Sequence, residues 1–406
     1  MQIDIVNKEY LRVSFAYDTR TVSLIRALPA RTYHAGTRSW YIPAHALESI
    51  DALIAHSFTL TPRAQAHVEG LRARHAGLHA LRAGTDADVR TTLPLYPYQR
   101  IGTAFLARGG AVLADDVGLG KTLMALALCE ELSAQSVLVL CPAILRFQWQ
   151  EEAARFLPDM RSVVVTGTHA QREALWGQNE PFMIANYELL LRTGELSLAL
   201  QRQWDIIICD EATRVSNPRS KTTKAVKALK AERKVMLTGT PISNRLDEIW
   251  SLCDLAYPLA LGSYYSFMER YSMKNFWGGV ASYRNLDELR ERLTPYMLRR
   301  TKEQVLKELP PVVESDIPFE LSKEERALYE QIREELLFEI KKQDISKIDN
   351  PIGLQHTLVK MGKLRELTDS MELLGESTKS TKLEVLKELL GTLPVEDKVL
   401  VFTQFS

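Results

Sequence analysis

Short apolar runs alternate with longer amphipathic segments between residues 93 and 254. Turn-forming residues bound each run, and helix-length stretches separate most of them. This alternation predicts an α/β fold with a doubly wound parallel sheet, in which ligands bind at the carboxyl ends of the strands. The predicted strands are AVLAD (111–115), SVLVLCP (136–142), SVVVTG (162–167), FMIANY (182–187), WDIIICDE (204–211) and KVMLTGT (234–240).

The flanking segments have different patterns. Residues 1–60 predict a small α/β module with an alternating strand, a helix, a hairpin and a second helix, and residues 61–92 predict a helical linker. Residues 255–390 carry long charged amphipathic helices, which predict a helical insertion on the sheet domain. A strand pattern returns in KVLVFTQFS (398–406), which is typical of the first strand of a further parallel sheet. We expect this strand to lie outside the first sheet.

Composition adds little to this picture. The 406 residues are 46% apolar and 25% charged, and the 51 basic side chains balance the 51 acidic ones, so nucleic-acid contact would need local arginine clusters. The four cysteines lie far apart, which disfavours a disulfide framework or a zinc site. With no apolar run of membrane-spanning length and no leader pattern, we expect an unexported protein with no membrane contact, cytoplasmic or nucleoid-associated in a bacterium and nuclear in a eukaryote.

The segment AVLADDVGLGKTLMAL (111–126) predicts a strand, a glycine-containing turn and a helix. Gly118 and Gly120 allow backbone N–H groups to surround phosphates, Lys121 reaches the β- and γ-phosphates, and the Thr122 hydroxyl ligates magnesium. Asp115 replaces the usual first glycine of this pattern, and a chance Gly-Lys-Thr is the alternative. A lysine at the positive end of a helix dipole, however, requires an anion nearby. The predicted nucleotide-binding set here is Asp116, Gly118, Leu119, Gly120, Lys121 and Thr122.

Two adjacent acids end the strand WDIIICDEAT (204–213). In a P-loop enzyme Asp210 would hold Mg²⁺ and Glu211 would orient and deprotonate the attacking water. The alternative is a solvent-facing pair at a strand end. Thr238, which ends another strand, would sense the γ-phosphate, although an ordinary strand-to-turn exit is the favoured explanation for this segment taken alone.

Several of these segments together resemble the Swi/Snf-type DNA translocases of helicase superfamily two. The matching stretches are PYQRIGTAFL, DDVGLGKT, LVLCPAILRFQWQEE, IANYELL, DEAT, LTGTPISNRLDEIWSL and YMLRRTKEQVLKELPP. The resemblance covers about residues 93–406 and implies a first RecA-like lobe (93–254), a helical insertion of the Swi/Snf type (255–390) and the start of a second RecA-like lobe (391–406).

The resemblance also assigns roles. Gln99 would contact the adenine base of ATP, and Arg146, Asn186 and Tyr187 would lie along the backbone of duplex or branched DNA, contacts that carry no sequence code. Thr213 stands where the family usually has histidine or glutamine. This difference leaves open how the acidic stretch DEAT is coupled to the next motif. The arginine fingers of the second lobe would be missing, so we expect the chain to be an N-terminal fragment that binds ATP weakly and hydrolyses it slowly.

The stretch FAYDTRTVSLIRALPARTYHAGTRSWYIP (15–43) resembles the small HARP (HepA-related protein) domain that accompanies annealing-helicase relatives. Five arginines, including Arg26 and Arg31, lie among aromatic residues between positions 12 and 38, a pattern suited to phosphate contact and base stacking. The alternative is a solvated arginine face over a small aromatic core, and for Trp40 we favour the core.

Three functions therefore remain open. The first is a monomeric DNA-dependent ATPase that moves along DNA. The second is a nucleotide-sensing DNA-binding adaptor without motor activity, and the third is a P-loop ATPase that remodels a nucleoprotein partner. The motor chemistry would look the same in the first and third.

Overall fold

A computed structural model describes residues 1–7, 9–82, 87–276, 279–308, 314–342, 351–375, 380–394 and 396–405. The predicted linker includes residues 83–86, which lie outside these ranges. The same holds for residues 277–278, 309–313, 343–350 and 376–379 of the predicted helical insertion, and for residues 395 and 406 of the predicted second-lobe start. The chain forms two compact units, residues 1–309 and 310–406.

The first part of the larger unit is a small mixed sheet with two helices. Its strands have the order β3-β4-β2-β1-β5, antiparallel except for the parallel pair β1 and β5. The strands β1 and β5 have no counterpart in the sequence prediction, whereas β2 matches the predicted strand and β3 and β4 match the predicted hairpin. The elements are β1 (Gln2–Ile5), β2 (Tyr10–Ser14), α1 (Thr19–Ala27), β3 (Thr32–His34), β4 (Ser39–Pro43), α2 (Leu47–Ala55), β5 (Thr59–Leu60) and α3 (Pro62–Arg82).

The helix α3 is more than the predicted linker. Val68 and Leu71 pack in the core of the small sheet, whereas Leu78 and Leu81 pack in the core of the large sheet. The helix therefore fixes the two cores to each other, and the described residues 87–92 that follow it are not helical.

A seven-stranded parallel sheet forms the centre of the larger unit, in the order β14-β6-β11-β10-β7-β9-β8. All six predicted strands are present. Buried apolar clusters cover both faces, as expected for a doubly wound sheet. The elements are α4 (Pro97–Ala107), β6 (Val112–Leu113), α5 (Lys121–Glu131), β7 (Val137–Cys141), α6 (Arg146–Phe156), β8 (Ser162–Val164), α7 (His169–Gly177), β9 (Phe182–Asn186), α8 (Glu195–Leu200), β10 (Trp204–Cys209), α9 (Lys221–Ala228), β11 (Ala231–Leu237) and α10 (Asp247–Ala256).

The remainder of this unit corrects the prediction of a purely helical insertion beginning at residue 255. The strand β14 pairs with β6, and the backbone N–H of Ala114 donates to the carbonyl of Leu298. Two residues suffice for this edge because the neighbouring strand β6 is equally short. The elements are α11 (Tyr264–Tyr271), β12 (Ser272–Lys274), β13 (Val280–Tyr283), α12 (Leu286–Leu293), β14 (Met297–Leu298) and α13 (Lys302–Val305).

The smaller unit is helical, with α14 (Lys323–Lys342), α15 (Pro351–Asp369) and α16 (Thr381–Thr392). The predicted strand at 398–402 is wrong as a strand: these residues have no strand partner in the described chain, and the Phe402 side chain is 91% exposed. They do lie outside the sheet, as expected. Among the described residues, we find no helix with the length and apolar character needed to span a membrane.

Candidate nucleotide site

The predicted phosphate loop lies between β6 and α5, at the carboxyl edge of the sheet. Gly118 and Gly120 have φ angles of 86° and 78°, in the left-handed region, and Gly120 directly precedes the first turn of α5. Thr122 is half-buried in that first turn. The loop therefore turns backbone N–H groups and the positive end of a helix toward one space, which favours an anion there.

Lys121 lies inside this loop. Its ammonium donates to the carbonyl oxygens of Asp115 at 2.7 Å and Asp116 at 3.1 Å. Burial lowers the pKa of Lys121, while the charges of Asp115, Glu211, Asp210 and Asp116 oppose that shift. The lysine and both acids of the DEAT stretch thus share one electrostatic environment, as the sequence predicts.

Asp210 and Glu211 follow the end of β10. The Asp210 carboxylate is buried and accepts from the Trp149 indole N–H at 2.8 Å and from the Glu211 backbone N–H at 3.0 Å. Burial raises the pKa of Asp210, and burial together with the Asp210 charge raises the pKa of Glu211. Glu211 has a φ of 46°, so a non-glycine residue occupies the left-handed region at this strand end.

Two adjacent acids lie at this strand end, and burial raises the pKa of both while the Lys121 charge opposes that shift. A divalent cation held by the Asp210 carboxylate and the Thr122 hydroxyl would supply further positive charge, and hard oxygen ligands of this kind suit Mg²⁺. The described residues hold no cluster of three or more His, Cys, Asp or Glu side chains. The donor set therefore fits a magnesium ion that phosphate oxygens help to coordinate.

Gln99 supports the loop. Its side chain is buried, its Nε2 donates to the carbonyl of Leu119 at 3.2 Å, and its Oε1 accepts from the Tyr96 backbone N–H at 3.0 Å. A Cβ on Gly120 would lie 2.4 Å from this Nε2. Each amide atom keeps one further hydrogen-bonding position, so the adenine contact stays a prediction, while the contact with the loop is a role that the sequence did not indicate.

Arg300 is the residue that sequence reasoning missed. Its guanidinium makes two hydrogen bonds to the fully buried Asp115 carboxylate, at 3.1 and 2.5 Å, and one to the carbonyl of Tyr98. Asp115 departs from the usual glycine of the loop, and Arg300 lies in the YMLRR stretch. Two sequence signals could have predicted this pair: the acid Asp115 inside an apolar loop segment, and the two adjacent arginines of YMLRR.

Thr238 is fully buried at the end of β11, and its hydroxyl accepts from the Thr240 backbone N–H at 3.1 Å. A Cβ on the adjacent Gly239 would lie 2.9 Å from Cγ2 of Val117 and 3.9 Å from the Lys121 ammonium. The end of this strand therefore touches the phosphate loop. Thr213 bonds only locally, through its hydroxyl to the carbonyl of Glu211 at 3.4 Å.

The predicted DNA-contacting residues differ in exposure. Arg146 begins α6, shortly after the carboxyl end of β7, and Asn186 ends the neighbouring strand β9; both residues are half-buried on the same edge of the sheet as the phosphate loop. Tyr187 is only 1% exposed, and its hydroxyl donates to the carbonyl of Asp210 at 2.7 Å. The Tyr187 side chain is therefore not exposed to a DNA strand in this structure and instead supports the acidic strand end, while a contact through main-chain N–H groups near Tyr187 stays a prediction.

In the amino-terminal module Arg26 is exposed in the last turn of α1. Arg31 is half-buried and donates to the carbonyl of Leu28, which satisfies the end of that helix. Trp40 packs against the module core and against Tyr33, with ring centroids 5.0 Å apart. The preference for Trp40 as a core residue is consistent with this position.

Comparisons with known proteins agree on one family. The family model of the SNF2-related domain matches residues 47–373. An uncharacterized ATP-dependent helicase of Mycoplasma genitalium is 30% identical over 322 residues, 77% of this chain and 30% of that protein. YwqA of Bacillus subtilis, named as an ATP-dependent helicase/translocase, is 31% identical over 338 residues, 77% of this chain and 35% of that protein.

Among solved structures, the SWI2/SNF2 ATPase core of Sulfolobus solfataricus in complex with dsDNA is 30% identical, with a TM-score of 0.48, and the match covers 75% of this chain and 65% of that one. The chain spans about a third of the length of the two curated relatives. The family model covers most of the chain, including the phosphate loop, the acidic pair and the Arg300 segment. The chain therefore belongs to the family of SNF2-related domains.

Proposed function

We propose that this chain is the ATP-binding part of a DNA-dependent ATPase that moves along or remodels DNA. The observation that carries the proposal is the position of Lys121 at the start of α5, after the left-handed Gly118 and Gly120, on the same edge of the parallel sheet as the acids that follow β10. A phosphate cradle beside a metal-binding acid and a second acid is the arrangement that phosphoryl transfer from ATP to water requires.

The residues of the chain would divide the work. The loop backbone and Lys121 bind the phosphates, and the Lys121 ammonium exchanges its two carbonyl partners for phosphate oxygens. Thr122 and Asp210 hold Mg²⁺, which neutralises charge on the β- and γ-phosphates when bound. Glu211, whose pKa is raised by burial, orients a water molecule and accepts its proton.

Turnover by this chain alone would be slow. Arg300 is committed to Asp115, and Arg299 lies 4.0 Å from the Asp116 carboxylate, so neither of these arginines is placed as an arginine finger. Such a finger accelerates phosphoryl transfer by about 10³–10⁵-fold. We propose that a further arginine comes from outside the part of the chain that the structure describes.

DNA would lie along the strand ends that carry Arg146 and Asn186. The relatives that match the chain include proteins named as helicases and one ATPase core solved with dsDNA, which supports this partner. Arg26 on the amino-terminal module would add a second phosphate contact, as in the HARP-like domain that the module resembles. A preference for branched DNA belongs to the same proposal, whereas remodelling of a nucleoprotein partner stays the separate, third function.

The test is ATP hydrolysis and duplex-DNA binding by the 406-residue chain and its Arg26→Ala and Arg146→Ala variants. We expect slow, DNA-stimulated hydrolysis, and each variant should weaken DNA binding and reduce its salt dependence by about one phosphate contact. Arg290→Ala is the control, because it removes an equally positive side chain that is 80% exposed on α12. Wild-type hydrolysis indifferent to DNA, with equal DNA affinity in all four proteins, would contradict the proposal.

A further inference from the structure

The segment Arg299–Lys302 runs along the phosphate loop and is held there by backbone contacts. The backbone N–H of Asp116 donates to the carbonyl of Arg300 at 3.0 Å, and the backbone N–H of Lys302 donates to the Asp116 carboxylate at 3.2 Å. Together with the bidentate hydrogen bonds from Arg300 to Asp115, these contacts fix the position of the segment along the loop.

The Lys302 side chain lies over the turn of that loop. A Cβ on Gly118 would be 3.6 Å from Cε and 3.8 Å from the ammonium nitrogen of Lys302. The residue is exposed, and within the described ranges its ammonium has no hydrogen bond and no ion pair. Lys121, by contrast, is satisfied by two carbonyl groups.

The local charges favour an anion near Lys302. Two acids at the start of a phosphate loop would repel a polyphosphate, but Asp115 is neutralised by Arg300 and Asp116 accepts from the Lys302 backbone and faces Arg299 at 4.0 Å. Arg299 and Arg300 each face an acid, whereas the Lys302 ammonium forms no ion pair with any of the described residues. A phosphate bound in the loop would lie within the screening length of physiological salt from the Lys302 ammonium, so the two opposite charges would attract each other.

We propose that Lys302 is a second phosphate-binding lysine, whose ammonium contacts the β/γ end of a bound nucleoside triphosphate from outside the loop. This inference rests on the proposed function, in which the loop binds ATP. Because Gly118 lies in the part of the loop that cradles the β- and γ-phosphates, the contact is specific for nucleotides that carry those groups.

The experiment is calorimetric titration of the 406-residue chain with ATP, ADP and AMP, each with Mg²⁺, for wild type, Lys302→Ala, Lys302→Arg and Lys307→Ala. Lys307 is an exposed lysine a few residues further along, so its removal controls for net charge. Lys302→Ala should weaken ATP binding by about tenfold, as loss of a charge-assisted hydrogen bond does. AMP affinity should not change, Lys302→Arg should restore most of the ATP affinity, and Lys307→Ala should bind as wild type does.

The outcomes separate this inference from the one on which it rests. Equal ATP affinity in wild type and Lys302→Ala would overturn the role of Lys302 and leave the ATP site intact. Equal losses in Lys302→Ala and Lys307→Ala would overturn it as well, because the effect would then be one of net charge. A wild-type chain that binds none of the three nucleotides would overturn both. Unchanged thermal unfolding midpoints without nucleotide would exclude misfolding as the cause of any loss.

Discussion

At the scale of single residues, Gly120 shows how closely the phosphate loop and its support fit together. Its φ of 78° is unfavourable for any residue with a Cβ, and the Gln99 amide fills the place where that Cβ would lie. The same position therefore sets the turn of the loop and admits the side chain that supports it.

We predict that Gly120→Ala destabilises the protein by roughly 1–2 kcal/mol through the left-handed backbone alone. Displacement of Gln99 adds to this and should abolish ATP binding. Gly77→Ala is the matched control, since Gly77 lies in α3 with no atom within 4 Å of its missing Cβ. That change should stabilise the protein by about 0.5–1 kcal/mol. Chemical denaturation measures both, and equal effects of the two substitutions would show that the loop geometry is not required.

Glu211 supplies a prediction about pH. Its pKa is raised by burial and by Asp210, so its ionised form destabilises the folded state above that pKa, and the penalty disappears as pH falls through it. Glu211→Gln should therefore raise the free energy of unfolding at neutral pH, and this gain should shrink as the pH falls. It should also remove hydrolysis without removing ATP binding. A gain that grows on acidification would contradict the assigned environment.

The sequence specified the residues of the loop and of the acidic pair because their chemistry depends on residue type and order. It did not specify the partners of Asp115, since Arg300 is distant in the chain and only the fold brings it close. The burial of Tyr187 was unpredictable for a related reason: the hydrogen bond from its hydroxyl to the carbonyl of Asp210 joins residues that only the fold brings together.

At the scale of elements, β14 connects the segment after residue 255 to the phosphate loop. Its two residues extend the sheet beside β6, and Arg300 follows directly and bonds to Asp115. A strand this short has too few residues for a period to appear in the sequence, so the prediction of a helical insertion passed over it. The six predicted strands, including the equally short β6, were recognisable because each lies in an apolar run and such runs alternate with helix-length segments.

Arg300→Ala should therefore weaken the whole edge of the sheet. It leaves a fully buried Asp115 carboxylate without its cation, which typically costs about 3–5 kcal/mol. Asp115→Ala with Arg300→Ala should cost less than the sum of the two single changes, because the double variant leaves neither charge unpaired. Arg290→Ala, which breaks an exposed pair, should change stability by less than about 1 kcal/mol. Additive losses in denaturation experiments would argue against a coupled pair.

At the scale of the whole larger unit, the amino-terminal module is joined to the sheet domain and is not a free appendage. α3 belongs to both cores, and Glu48 accepts from Arg270 at 2.7 Å and Arg292 at 2.6 Å. The match to the SNF2-related domain begins at residue 47, within the module. Neither link was predictable, because the periodicity of α3 is weak and ion pairs between distant segments leave no sequence pattern.

This connection bears on the proposed function. Because α3 packs in both cores, the proposed DNA contact at Arg26 would lie on the same compact unit as the phosphate loop. The sequence alone indicated the two parts and their order, and the fold adds the helix α3 and the Glu48 ion pairs that join them.

The central claim is that the loop around Lys121 and the acids at the end of β10 form one nucleotide site. Its most direct test is the thermal unfolding midpoint of the 406-residue chain with and without Mg²⁺ and ATP, for wild type and Lys121→Ala. Ligand at a hundredfold excess over its dissociation constant adds about 2.7 kcal/mol of stability, so the wild-type midpoint should rise clearly and that of Lys121→Ala should not. A wild-type midpoint unmoved by millimolar ATP, or an equal rise in the variant, would contradict the account.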